Sequence, residues 1–201
     1  MAVDEAPLPI PAVTAVETDD EDDQSAEIGR ELRLREDLKP WHIVLGTATW
    51  TSMNVATILG FLHFSDRWGW SGDPLDTGCA RGDPILGTDF CDGPAIPHFA
   101  AAIGTAVFFT ATFTLGLFMP DPLGSAQAEG ERGTLLRLHQ VLRWGVLAGM
   151  VAQLILGPVT SALRSEPFET GRALAATHVT VGALTWAMMT AQGIVGDLLA
   201  F

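Results

Sequence analysis

The sequence predicts an all-α integral membrane protein: an up-down-up-down four-helix bundle preceded by a disordered acidic N-terminal tail. Three observations predict this. Four apolar stretches follow one another, the acidic residues gather ahead of them, and in each stretch a histidine is followed eighteen residues later by a glycine. Residues 41–64, 98–119 and 173–196 contain no Asp, Glu, Lys or Arg, and residues 138–163 contain only Arg143. At 22 to 26 residues each they have the length of a spanning helix. A water-soluble bundle would carry charges along every outer face.

The tail accounts for a mean hydropathy of +0.28 beside a net charge of -13. Twelve of the 24 acidic residues precede residue 38, in a polar, Pro-containing segment that includes Asp19-Asp20-Glu21-Asp22-Asp23. Such a segment buries too little apolar surface to offset its ordering entropy, so disorder is expected over residues 1–28. Residues 1–38 are assigned to the tail and 39–201 to the membrane domain. The acid run is either a solvated tail or a docking arm for a basic partner. A secretory signal is not expected, because no basic start followed by an apolar run is present.

The expected helices cover 41–64, 98–119, 134–163 and 173–199. Residues 65–97 form a long loop rich in Gly, Pro and Asp that holds the only cysteines, Cys79 and Cys91. Twelve residues apart in such a loop, they are expected to form a disulfide, the alternative being free thiols. Asp73, Asp76, Asp83, Asp89 and Asp92 lack the spacing of a calcium loop, so a solvated acidic loop is expected. On the tail side, side A, lie Arg30, Arg33, Arg35, Lys39, Arg132 and Arg137, and on the opposite side, B, Arg67, Arg81, Arg164 and Arg172. This bias places side A and both termini in the cytoplasm and the 65–97 loop outside an inner (cell) membrane.

The pairs are His42/Gly60, His98/Gly116, His139/Gly157 and His178/Gly196. Eighteen residues is about five helical turns, so each glycine shares a face with its histidine, roughly 27 Å away. Helices 1 and 4 also agree at Gly46/Gly182, Thr49-Trp50/Thr185-Trp186, Met53/Met189 and Ile58/Ile194, the mark of one unit reused. Alternating helix direction puts His42 and His139 on side A and His98 and His178 on side B, on diagonal helices in each case. Each diagonal is expected to clamp one iron between two imidazoles. Gly60 and Gly157 then flank the side-B cofactor, and Gly116 and Gly196 the side-A one. Glycine there, and at Gly46 and Gly182, lets a macrocycle approach the backbone.

Haem is the natural candidate, since imidazole is a common axial ligand. No Cys-x-x-Cys-His occurs, which leaves non-covalent haem b, two per chain. Arg143 is placed for a propionate on side A or to snorkel to the interface, with Lys39 a second candidate and Arg172 or Arg67 their side-B counterparts. Asn54, Gln153 and Gln192 read as interhelical hydrogen-bonding residues or quinone contacts. Trp41, Trp50, Trp144 and Trp186 read as packing or belt residues. His63, outside the pattern, reads as interfacial, as a further side-B ligand, or as a proton or quinone contact.

On these residues, and on stretches such as Leu138-His139-Gln140 and Ala176-Thr177-His178-Val179, the chain from about residue 40 to 201 resembles the cytochrome b561 family and related four-helix dihaem membrane cytochromes. The resemblance implies that His42, His98, His139 and His178 are axial ligands. It further implies that the protein passes electrons between a quinol or small reductant and a redox partner. The flanking helices of eukaryotic members and a basic cluster for ascorbate are missing, while the 33-residue loop and the acidic tail are additions. Donor and acceptor therefore stay open, as does membership of a larger membrane complex. The competing readings are a chlorophyll-binding protein of a photosynthetic complex and a cofactor-free structural subunit packed through small residues. No phosphate loop, nucleophile–base arrangement or zinc spacing is present, and nucleic acid is not an expected partner.

Overall fold

The computed structural model describes residues 18–92, 95–163 and 167–200. Among them the chain forms α1 (Thr18–Trp68), the short α2 (Gly78–Arg81) and α3 (Asp89–Asp92), then α4 (Ile96–Phe118), α5 (Glu131–Ala162) and α6 (Phe168–Ala200), with no strand. Helices α1, α4, α5 and α6 are each long and apolar enough to cross a membrane, as in a multi-pass membrane protein. Pro97 stands in the first turn of α4, where a missing N–H costs nothing.

The first helix begins far earlier than expected. Residues 18–38, assigned by sequence to a disordered tail, are helical and continuous with the first span, while residues 1–17 of that tail lie outside the described residues. A helix already nucleated in the span propagates by one hydrogen bond per residue fixed, so its extension avoids the cost of starting anew, less the one bond to residue 36 that Pro40 cannot make. The extension is rich in Glu, Leu and Arg, all good helix formers, and Glu31 and Arg35 have the favourable four-residue spacing. Arg35 also ties it to the α4–α5 connection, donating to the Pro120 carbonyl and pairing with Asp121 at 3.2 Å.

Helix α1 packs along α4 and, over a shorter length, along α6, while α5 packs along α6. Every pairing is antiparallel: His42 meets Gly116 and Gly60 meets His98 between α1 and α4, and His139 meets Gly196 and Gly157 meets His178 between α5 and α6. Between α1 and α6, the Trp50 indole donates to the Thr190 hydroxyl (3.1 Å) and the Trp186 indole to the Asn54 side-chain carbonyl (3.0 Å). These two bonds join equivalent positions in reverse, because Trp50 and Asn54 stand at the same distances from His42 as Trp186 and Thr190 from His178.

Counting from each histidine, the inward positions fall at 0, 4, 7, 11, 14 and 18, the alternating spacing of a helix–helix seam. At position 7, Thr49, Thr105, Val146 and Thr185 are buried. At position 11, Met53, Phe109, Met150 and Met189 supply four of the five buried residues of the main core cluster, Val146 being the fifth. Large apolar side chains such as Val44, Ile58, Val107, Ile155 and Leu184 face outward. Glycine, threonine and histidine at the seam, around one layer of methionine and phenylalanine, lie beneath an apolar exterior of the kind lipid favours.

Beyond the side-B end of α1, the loop is held in three ways. Cys79 and Cys91 form a disulfide with a Cα–Cα distance of 5.6 Å. Buried Asp66 accepts the backbone N–H groups of Ile85 (2.8 Å) and Leu86 (2.9 Å). Thr77 caps α2 by accepting from the Ala80 N–H at 3.0 Å.

Candidate functional site

The four histidines come together as two pairs from diagonal helices. His42 of α1 and His139 of α5 have ring centroids 6.4 Å apart, and His98 of α4 and His178 of α6 have theirs 6.0 Å apart. A metal bound between two imidazoles lies about 2 Å from each nitrogen, which separates the ring centroids by roughly 6 Å. Among the described residues no group of three or more His, Cys, Asp or Glu forms. Metal capacity therefore rests in pairs, and two imidazoles suit an ion whose other positions are filled by a planar macrocycle.

Each ring lies against a glycine of the neighbouring antiparallel helix. A Cβ on Gly60 would stand 3.0 Å from His98 Cε1, and one on Gly116 would stand 3.2 Å from His42 Cε1. The corresponding distances are 3.5 Å from Gly157 to His178 and 3.5 Å from Gly196 to His139. Side chains larger than methyl would push the rings away, so these glycines keep a bare strip of backbone beside each pair. Gly46 and Gly182 lie elsewhere, facing the Thr112 methyl (3.7 Å) and the Gln153 amide (3.5 Å) across the same helix pairs.

The Nδ1 atoms follow the same twofold pattern. His98 Nδ1 bonds the Ala56 carbonyl at 2.8 Å and His139 Nδ1 the Gln192 carbonyl at 3.2 Å, each acceptor being at position 14 of its helix. A carbonyl takes a donor, so these two rings carry their proton on Nδ1 and leave Nε2 with a free lone pair, the state a metal ligand requires. Of the other equivalent pair, His42 turns its ring toward the backbone of Thr112, again at position 14, and His178 has a buried Nδ1 without a hydrogen-bond partner. Facing imidazoles, with glycine beneath each ring, fit a metal macrocycle at each pair.

Around the side-A pair, Arg143 donates from Nη1 to the Gly116 carbonyl at 3.3 Å, and its guanidinium stacks over Phe113 and Trp144. It thus turns inward across the α4–α5 side, and its buried Nε has no partner. Arg172 donates to the Trp70 carbonyl and Arg67 to the Cys91 carbonyl. Gln153 donates to the His178 carbonyl at 3.0 Å and Asn54 accepts from Trp186, so both link helices. Spacing from the histidines did not single out the buried position-7 threonines, although continuing that count to the next inward position would have done so.

A hollow of about 450 Å³ lined by Arg67, Trp68, Cys79, Ala80, Cys91, Asp92 and Phe168 lies on the side-B surface, apart from the histidine pairs. No family model, curated protein or solved structure matches this chain.

Proposed function

We propose that this protein is a transmembrane b-type cytochrome: an up-down-up-down bundle with two haems that passes electrons between a quinol or small reductant and a redox partner. The observation that carries the reading is the pair of facing imidazole couples, with centroids 6.4 and 6.0 Å apart, one toward each end of the spans. Bound haem would supply one-electron chemistry at each end of the bundle. His42 and His139 would hold one haem, and His98 and His178 the other. The carbonyls of Ala56 and Gln192 fix the orientation of two of these rings. Gly60, Gly116, Gly157 and Gly196 keep the backbone clear, and Arg143 offers its guanidinium to a side-A propionate. The apolar outer surface excludes water from the sites. The disulfide favours an oxidising compartment on side B and a cytoplasmic side A.

Pyridine haemochrome analysis of protein purified in detergent tests this directly, with two haems per chain expected. His139→Ala and His178→Ala should each lose about half of the haem. A colourless protein, or a chlorin spectrum in place of a reducible Soret band, would overturn the reading.

A further inference from the structure

The two histidine pairs are related by a local twofold axis that exchanges α1 with α6 and α4 with α5. Contacts of His42 with Gly116 are repeated by His178 with Gly157, and those of His98 with Gly60 by His139 with Gly196. The Nδ1 bonds of His98 and His139 to position-14 carbonyls obey the same exchange. One seam position breaks it in charge. Of the 24 inward positions, only Arg143 is ionised, at position 4 of α5, and its twofold counterpart on α4 is Ala102.

We propose that Arg143 makes the two sites unequal electron acceptors, raising the affinity of the side-A site for an electron above that of the side-B site. This rests on the haem reading above. The guanidinium lies one turn from His139 and bonds the carbonyl of Gly116, the glycine under His42. A Cβ on Gly116 would lie 3.2 Å from His42 Cε1 and 3.9 Å from Arg143 Nη1, so the cation shares the immediate surroundings of the pair. When an iron in a site takes one electron, going from ferric to ferrous, its net charge falls by one unit. A fixed cation nearby then opposes the electron-loaded form less than the empty one, most strongly where water is excluded.

The remaining charges stand outside the inward seam positions, one of which Arg143 occupies four residues from His139. Asp197, next to Gly196 on side A, is exposed and so is screened by water and salt. On side B, Arg67 and Arg172 engage the carbonyls of Cys91 and Trp70 at the loop. Buried Asp66 lies two turns beyond Gly60, where a carboxylate disfavours an added electron. Asp66 and its neighbour Arg67 offset each other, and no cation lies within 4 Å of a Cβ on Gly157, whereas Arg143 lies 3.9 Å from one on Gly116.

The test is an optically monitored redox titration of the intact purified protein with mediators, dithionite as reductant and ferricyanide as oxidant. Two one-electron waves are expected, and the higher one should survive in His178→Ala, which keeps the side-A pair. Arg143→Gln should lower that wave by at least a tenfold change in the oxidised-to-reduced ratio, about 59 mV for one electron, and leave the lower wave in place. Arg143→Lys should restore most of the shift, which lost packing alone would not explain. Ala102→Arg should raise the lower wave. If both waves stay put in Arg143→Gln, or if only the lower one moves, the proposal is wrong. Should Arg143→Gln fail to retain the side-A haem, an unmoved lower wave in Ala102→Arg overturns it instead. A wild-type protein without haem removes the cytochrome reading and this inference together.

Discussion

The α1–α4 hairpin and the α5–α6 hairpin present histidine and glycine at identical levels, yet they are zipped differently between those levels. In the first, the hydroxyls of Thr49 and Thr112 meet at 3.1 Å and Gly46 rests on the Thr112 methyl. In the second, a Cβ added to Gly149 would collide with Thr185 Oγ1, and Gly145 rests on Met188 Sδ. The twofold counterpart of Gly149 is Phe108, a partly exposed residue on the outer face of α4. Identity is retained where a side chain would displace a histidine ring, and it drifts where the interior merely has to be filled. Close packing admits many solutions of equal volume, whereas a ligand and the strip of backbone beside it admit few.

The comparison is broken most severely at Gly149. A valine there must displace the whole of Thr185, because the Thr185 Cγ2 and Cβ atoms also lie at 2.9 and 3.0 Å from the first added carbon. Overpacking of this kind costs about 1–3 kcal/mol. Thermal denaturation in detergent should therefore show a clear drop for Gly149→Val and almost none for Phe108→Val on the other hairpin. Equal losses would mean that the two hairpins are packed alike.

The junction between the hairpins comes next. Trp50→Phe and Trp186→Phe each delete one of the reversed indole bonds, and such bonds within membranes contribute about 0.6 kcal/mol on average. The larger loss should follow Trp186→Phe, whose bond is part-buried, while the bond of Trp50 lies in an exposed place. Unfolding of both single variants in mixed micelles measures this ranking, and a reversed order would contradict it.

The smallest effect concerns Asp121 in the connection from one hairpin to the other. Partial burial tends to raise its carboxyl, but the N–H groups of Ala126 and Ser125, the Ser125 hydroxyl and Arg35 outweigh it and hold the group below the ordinary carboxylate value. Its contribution is therefore complete above the unfolded value of about 3.9 and is lost as pH falls through the lower folded value. The thermal midpoint of wild type should exceed that of Asp121→Asn at neutral pH and converge with it in acid. A margin that widens on acidification would reverse the assigned sign.

Much of the membrane domain was legible because lipid imposes long uncharged runs, and because histidine and glycine are conspicuous within them. The paired approach of His42 to His139 and of His98 to His178 follows from helix direction and spacing alone. Thr105, Val146 and Thr185 were harder to read, since a buried threonine resembles an outward one until the seam is counted past the histidine. The helical state of residues 18–38 was hidden by composition: charge density argues for a solvated chain, and only attachment to a span lets Glu31, Leu34 and Arg35 propagate a helix. The anchoring of the side-B loop by Asp66 was equally unreadable, for it depends on backbone N–H groups nineteen and twenty residues away.

Helix α1 runs without interruption from Thr18 to Trp68. From Thr18 to His42 it extends over roughly 36 Å at the ordinary helical rise, with the Arg35–Asp121 pair as a strut near its root. Whatever grips the far end of this boom pulls on a lever whose fulcrum is the turn bearing an imidazole of the side-A pair. A bending or twisting load applied well outside the lipid would thus arrive at the turn of Pro40, which has no N–H to bond residue 36, so the lever is weakest two residues from that ring.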